Sequence, residues 1–395
     1  MQPIKARIGY SFFCPMPADT VKTDTEAELL PESIPSLAVS GHPEYLKDIR
    51  TCQSFLYGSG MPFSCRRFVF DLPVFSLNGR AFQDAHVLLG IYDDTHVASV
   101  SIFFSLQTDS EEELVYLRQI QTSDIPFTVK DGNTSAKQLA NRCFSFLNCD
   151  TDETDSVYLI EINDYRGEED VDRILDVHAR ALYGMLTGDE GFAFVGKDCA
   201  DNRLSNRWST RNFVKVIAFH ENFLLLNLQN SSNAVSYRAH QKDYGNTFYG
   251  EPNPYFFLTC KSAGVNHGLF FTVETGMVAK SIASHVLLTQ SRQSQGKHYA
   301  SASRIYQTKM FRRNLILTLK RLEHVEIAEI GALEQMVMKG LDLLPLIEKI
   351  RHMLDLMESE LDMLYQTNTN TLINILTVLG LLLAVVEIVL PLLLG

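Results

Sequence analysis

Long apolar runs are scarce in this 395-residue chain. Outside one stretch near the C-terminus, no window of about 18 residues is both apolar and uncharged, so the remainder holds no further membrane-spanning segment. Cysteine is sparse too: the seven, at positions 14, 52, 65, 143, 149, 199 and 260, form no CxxC pair and no Cys/His zinc spacing. Their odd number argues against a disulfide framework, and they read as reduced thiols of a cytosolic body. Basic residues are in deficit. With 47 acidic against 35 basic residues the net charge is −12, carried by clusters such as 111–113, 150–155 and 168–170, which speaks against a nucleic-acid polymer as partner. Lys5 and Arg7 precede an apolar run too short for a signal peptide, and the segment reads as a first strand.

Catalytic motifs are likewise missing. There is no GxSxG, HExxH or GxGxxG, and the GxxxxG spacing from Gly191 to Gly196 is followed by Lys197 and Asp198 rather than by the Lys–Ser/Thr pair that holds phosphate and metal. His178 in a helical pattern and His220 at a strand end read as packing or surface residues. The expectation is a protein that is not an enzyme and has no resident cofactor.

What is present alternates between two periods. Segments rich in β-branched and aromatic residues predict strands over 7–13, 67–75, 86–92, 97–106, 157–162, 214–220, 223–228, 255–260 and 269–274. Helical spacing covers 111–120, 136–146, 169–186 and 277–292. Residues 1–290 therefore read as an α+β or α/β soluble body, with a candidate subdomain junction at the polar stretch 149–155. From about Ala302 the composition shifts to Leu, Met, Glu, Lys and Arg at helical spacing, so 291–366 reads as a helical hairpin and stalk. Its first arm ends at Gly340 as a C′ glycine. The second starts near Asp342, holds Pro345 in its first turn and carries the stripe Leu346, Ile350, Met353, Met357, Leu361, Leu364.

Residues 367–395 read as one transmembrane helix. Leu372 to Leu394 carries a single charge, Glu387, over 23 residues; that is roughly 35 Å of helix, enough for a hydrocarbon core of about 30 Å. Lys349, Arg351 and more distant basic residues precede the span, so the expectation is a single-pass membrane protein with its body in the cytoplasm. Within the span Thr377, Gly380, Ala384, Glu387 and Pro391 recur in steps of three and four, with Asn374 beside them. One face is thus small or polar and the rest is Leu, Ile and Val. Three readings stand: tolerated scatter around a plain anchor, a packed oligomer interface with neutral Glu387, or a pore whose Glu387 ring draws cations.

An α/β body, a helical hairpin and a long stalk running into a membrane helix together resemble the CorA-type divalent-cation channels. The stretch NTNTLINILTVLG, Asn368 to Gly380, is similar to the Asn-containing entry and following Leu-Thr of that family's first span. The family's Gly-Met-Asn signature and second span are not in this sequence, so magnesium selectivity is not implied. What the resemblance implies is symmetric homo-oligomeric assembly around a pore, with a divalent cation as candidate ligand. Some CorA-like proteins are membrane effectors of bacterial antiviral defence gated by a nucleotide second messenger, and the resemblance leaves that role open beside housekeeping ion transport.

The body offers one candidate ligand site. RLSNRWSTR places Arg203, Arg207 and Arg211 around the only tryptophan, Trp208. Guanidinium groups and an indole suit a phosphate beside a stacked base, so a nucleotide-like small molecule is the candidate ligand, with ordinary surface ion pairs as the alternative. LYGMLTGDEGF, 182–192, reads as a binding loop or as a helix end and turn, and GVNHG, 264–268, as a hairpin. The sequence thus predicts a homo-oligomeric membrane protein with a sensing or assembly body and a pore-like C-terminal bundle. The alternative is a binding protein that recruits a partner at the bilayer and uses its last helix as a tether.

Overall fold

The structure is a computed structural model describing residues 2–17, 24, 28–40, 64–209, 211–228, 231–243, 268–295, 316, 328–349, 351–352, 355, 359, 366, 370 and 373–381. It divides into two units, 1–286 with 321–346 and 287–320 with 347–395. The chain runs β1 (Ile4–Pro15), α1 (Leu30–Ser33), β2 (Ala38–Val39), β3 (Arg66–Asp71), β4 (Phe75–Leu77), β5 (Arg80–Ala81), β6 (Gln83–Tyr92), β7 (Val97–Thr108), α2 (Glu111–Gln119), β8 (Phe127–Val129), β9 (Gly132–Thr134), α3 (Ala136–Phe146), β10 (Asp155–Tyr165), α4 (Val171–Thr187), α5 (Lys197–Arg203), β11 (Arg207–Trp208), β12 (Val214–Phe219), β13 (Asn222–Asn227), α6 (Ser232–Asp243), α7 (Gly268–Gln295) and α8 (Ala328–Gly340).

Nine strands form one sheet in the order β11-β12-β13-β10-β1-β7-β6-β3-β2, and a small sheet has the order β5-β4-β8-β9. All pairs are antiparallel except β10 with β13. A parallel neighbour requires a crossover, which α4 and α5 supply. The first unit is therefore an α+β body. The stretch 149–155 is the connection from α3 to β10 within it.

The large sheet is buried on both faces over its centre. On one face Ile8, Tyr10, Phe104, Tyr158 and Ile160 are fully or almost fully buried. Tyr10 donates from its hydroxyl to the Leu117 carbonyl of α2 at 2.6 Å, α3 packs on β1 and β7, and α4 packs on β10, β12 and β13. On the other face Phe103 meets Phe270 of α7 edge to face at 5.3 Å. Gly9 makes that possible: a Cβ there would lie 2.7 Å from the Phe103 ring.

Local chemistry fixes the helix starts. Ser110 accepts from the Glu113 amide at 3.2 Å to cap α2, whose first turn is acidic. Ser135 and Gln138 exchange reciprocal bonds in a capping box at α3. Asp170 caps α4 through the Asp172 amide at 2.8 Å, and Gly188, at φ 74°, ends it.

Several sequence expectations are corrected. Residues 269–274 form the start of α7, not a strand, because Leu269 to Glu274 is buried on every side and packing overrides β propensity. The predicted strand 67–75 breaks at Leu72–Pro73, after which Phe75 pairs in the small sheet. The predicted strand 255–260, residues 264–267 of the GVNHG turn, and Ile350, Met353, Met357, Leu361 and Leu364 of the stalk stripe lie outside the described residues.

The expected transmembrane helix is corrected as well. Among the described residues no helix is long and apolar enough to cross a membrane. The length is there in α7, at 28 residues, but it carries Glu274, Lys280 and a polar second half. Within 367–395 the described residues are 370 and 373–381, all helical. The single-pass membrane localisation, the transmembrane helix and the channel built on it are overturned by that finding. Ala384, Glu387 and Pro391 lie outside the described residues.

Candidate functional site

The arginine-tryptophan motif does not converge. Arg207 pairs with Ile217 and Trp208 with Val216 on the two-residue edge strand β11, so these neighbours point to opposite faces of the sheet. Arg203 stacks its guanidinium over Phe219 at 5.1 Å. Arg207 donates from Nε to the Leu204 carbonyl. Arg211 follows Ser209, whose hydroxyl accepts from the Arg211 amide at 3.2 Å. The strand thus sets Arg207 and Trp208 on opposite faces, and Arg203 lies over Phe219.

The Gly191–Gly196 segment is not a phosphate loop either. It follows helix α4 rather than a strand, contains a 3-10 turn at Phe192–Phe194, and leads into the seven-residue α5, whose Lys197 is paired with Asp176 of α4. A groove of about 540 Å³ between α1 and α3 is lined by Ile34, Gln138, Asn141 and Arg142. Gln138 caps α3 and Arg142 bonds Asp131 at 2.7 Å, while Asn141 Oδ1 is buried without a hydrogen-bond partner. Among the described residues no three His, Cys, Asp or Glu side chains gather as metal ligands.

The structure does assemble three polar clusters that sequence reasoning missed. Arg67 of β3 donates from Nη1 to Glu274 Oε1 of α7 at 2.9 Å, and its Nη2 lies 2.5 Å from Oε2. Ser99 adds a bond to Oε1 at 2.9 Å, and the guanidinium lies 5.1 Å over the Phe271 ring. Both charged side chains are buried, at 5% and 1% exposure. Gly90 opens the socket, since a Cβ there would crowd Ser99 and Glu274. This is a bidentate latch holding α7 on the sheet.

A second cluster crosses β1, β10 and β13. Asn163 and Asn227 each donate to Glu161 Oε1 at 2.6 Å, and Arg7 Nη1 stands 3.5 Å from Oε2. Burial outweighs the arginine and pushes the Glu161 carboxyl up to about 7. His86, buried on β6 with Nδ1 bonded to the Asp84 carbonyl at 2.8 Å, is pulled down to about 4 by burial. In a third cluster Glu111 Oε1 accepts from the Tyr165 hydroxyl at 2.6 Å and lies 3.3 Å from His178 Nδ1. His178 sits at a break in α4, φ −112° and ψ 20°. All three clusters tie elements together. No single sequence window signals them, because the bonds that join their elements span 54 to 207 positions.

The remaining predicted residues lie on the helix 373–381. Asn374, Thr377 and Gly380 are exposed, and the Thr377 hydroxyl is satisfied internally by the Ile373 carbonyl at 2.7 Å. Ile373, Ile375, Leu376, Val378, Leu379 and Leu381 are each 50 to 64% exposed. At 100° per residue these six reach every side of the helix. Soluble chains rarely leave a contiguous apolar surface of several hundred Å² uncovered, and where they do it is an interaction site. No protein-family model matches this chain, and no curated protein or solved structure matches it.

Proposed function

We propose that this chain is a non-enzymatic, self-assembling protein: copies associate through the apolar helix around 373–381 and thereby gather their α+β bodies. One observation carries the reading, the exposure of apolar side chains on all sides of that helix. Identical copies suit it. Thr377 has no unmet donor because it bonds back to Ile373, and Gly380 has open space around its Cβ position, so helices can approach closely there. A helix apolar all round is covered fully only inside a bundle, which favours several copies over a dimer. The resemblance to CorA-type channels contributes the same element, symmetric assembly.

The test is the mass of the full chain by light scattering in aqueous buffer, with Leu376→Asp/Leu379→Asp as the matched variant. The expected result is a defined oligomer that the double substitution reduces to monomer while circular dichroism of the body stays unchanged. A wild-type monomer at tens of micromolar would overturn the reading. So would a monomer that sediments with phosphatidylcholine vesicles, which would assign the helix to lipid.

A further inference from the structure

The segment from Met363 to Val386 contains no Asp, Glu, Lys, Arg or His over 24 residues. Gln366, Asn370 and Asn374 lie within it, all helical, all exposed and spaced by steps of four. At 100° per residue the three fall within an arc of about 80°, and Thr377 falls inside the same arc. Among the described residues none of the three carboxamides has a hydrogen-bond partner, whereas the Thr377 hydroxyl is satisfied by the Ile373 carbonyl. A helix stripe that faces water ordinarily carries Lys, Glu or Arg. This one carries neutral groups, each of which both donates and accepts.

We propose that Gln366, Asn370 and Asn374 form a hydrogen-bonded seam between copies of this chain, which aligns their C-terminal helices parallel and in register. The inference rests on the self-association through 373–381 proposed above. A carboxamide buried against apolar side chains loses its water without compensation, whereas one that meets the same carboxamide of a neighbouring copy exchanges N–H···O bonds with it. Parallel, in-register helices bring each of the three to its own counterpart at one height and set the apolar levels of 373–381 beside one another. An antiparallel pair centred on Asn370 still joins Gln366 to Asn374, but it sets Val378 level with Asp362 and Leu381 level with Ser359. One centred on Thr377 covers the apolar residues, but it sets Asn374 level with Gly380 and Asn370 level with Ala384, which offer no side-chain hydrogen bond. The parallel order meets both demands. A few buried polar positions fix register and copy number in helical bundles, at a cost in the stability of the bundle.

The experiment uses the full chain in aqueous buffer. Benzoylphenylalanine in place of Leu381 is photo-crosslinked in mixtures of light and heavy-isotope copies, and the joined peptides are mapped by mass spectrometry. The expected partner region is 378–385 of the neighbouring copy; crosslinks to 355–363 or to 369–376 would overturn the parallel order. Gln366→Leu/Asn370→Leu/Asn374→Leu should keep the assembly but yield more than one mass by light scattering, with crosslinks from both orders. A single mass and a crosslink pattern identical to those of the parent chain would refute the seam. Asn374→Asp places like charges at one level and should raise the dissociation concentration at least about tenfold at pH 7; an unchanged value would refute it too. A monomeric wild type would overturn the association itself and this inference with it. An oligomer that fails the crosslink or leucine test leaves the association standing and removes the seam alone.

Discussion

Arg7 and Glu161 stand directly opposite each other on β1 and β10, with Nη1 of the arginine 3.5 Å from Oε2 of a carboxylate that has no exposed surface. The separation is longer than an ordinary hydrogen bond, and burial of the carboxylate outweighs it. Glu161 therefore holds its proton to about pH 7, while on β6 His86 refuses one down to about pH 4. Folding at mildly acidic pH takes up a proton at one site and releases one at the other.

The first prediction follows from those opposite signs. Glu161, raised from 4.5 to about 7, contributes stability that is full below pH 4.5 and lost as pH rises to 7. His86, lowered from 6.5 to about 4, contributes stability that is full above pH 6.5 and lost as pH falls to 4. Urea unfolding of wild type should be nearly flat between pH 4.5 and 6.5. Glu161→Gln should make stability climb with pH over that window, and His86→Gln should make it fall, each by about 3 kcal/mol overall. Identical profiles in all three proteins would mean the two groups do not titrate as described.

The second concerns the Arg67–Glu274 latch. Glu274→Gln leaves a buried guanidinium without its counter-charge and should cost about 3–5 kcal/mol. Arg67→Met/Glu274→Leu removes both charges and should recover most of that loss, since the pair's desolvation is removed along with its attraction. Denaturant midpoints of the two variants decide it; a double variant as unstable as the single one would show that the latch is worth more than packing can replace.

The third tests a close approach. A Cβ on Gly340 would lie 2.7 Å from the Ala218 Cβ of β12, so Gly340→Ala should destabilise by about 1–3 kcal/mol. Ala218→Gly in the same chain moves the methyl from one side of the gap to the other and should restore at least half. Thermal melts of the two single variants and the double variant measure the coupling, and simple additivity would refute the geometry.

Legibility followed the range of the signal. Helix α3 was readable to the residue, because Ser135 and Gln138 announce its start locally, and β6, β7, β12 and β13 were readable from their runs of buried aliphatics. Leu269–Glu274 was misread because composition cannot distinguish a strand from a helix buried all round. Gly340 was assigned to a helix-ending turn, but it is the last residue of α8 and its lack of a side chain serves contact with Ala218; the positive φ, 52°, belongs to Asp342. The candidate ligand site drew on residues whose faces the sequence window does not separate. Arg207 and Trp208 are adjacent in a strand, and adjacent strand residues cannot share a face. Partnerships such as Arg67 with Glu274 and Tyr165 with Glu111 are tertiary facts, and only their residue types were visible.

The first unit closes with residues 321–346, after the chain has left it through 287–320. Gly340 of α8 lies against Ala218 and Phe223, so this part of the sheet is covered by a segment synthesised late. Between residue 286 and residue 346 a ribosome moving at about 5–20 residues per second takes roughly 3–12 seconds. For that interval the nascent sheet has all its strands but not its last helix, with Phe223 uncovered. The order of synthesis therefore brings α8 last to this part of the sheet, and translation speed sets how long Phe223 waits for its cover.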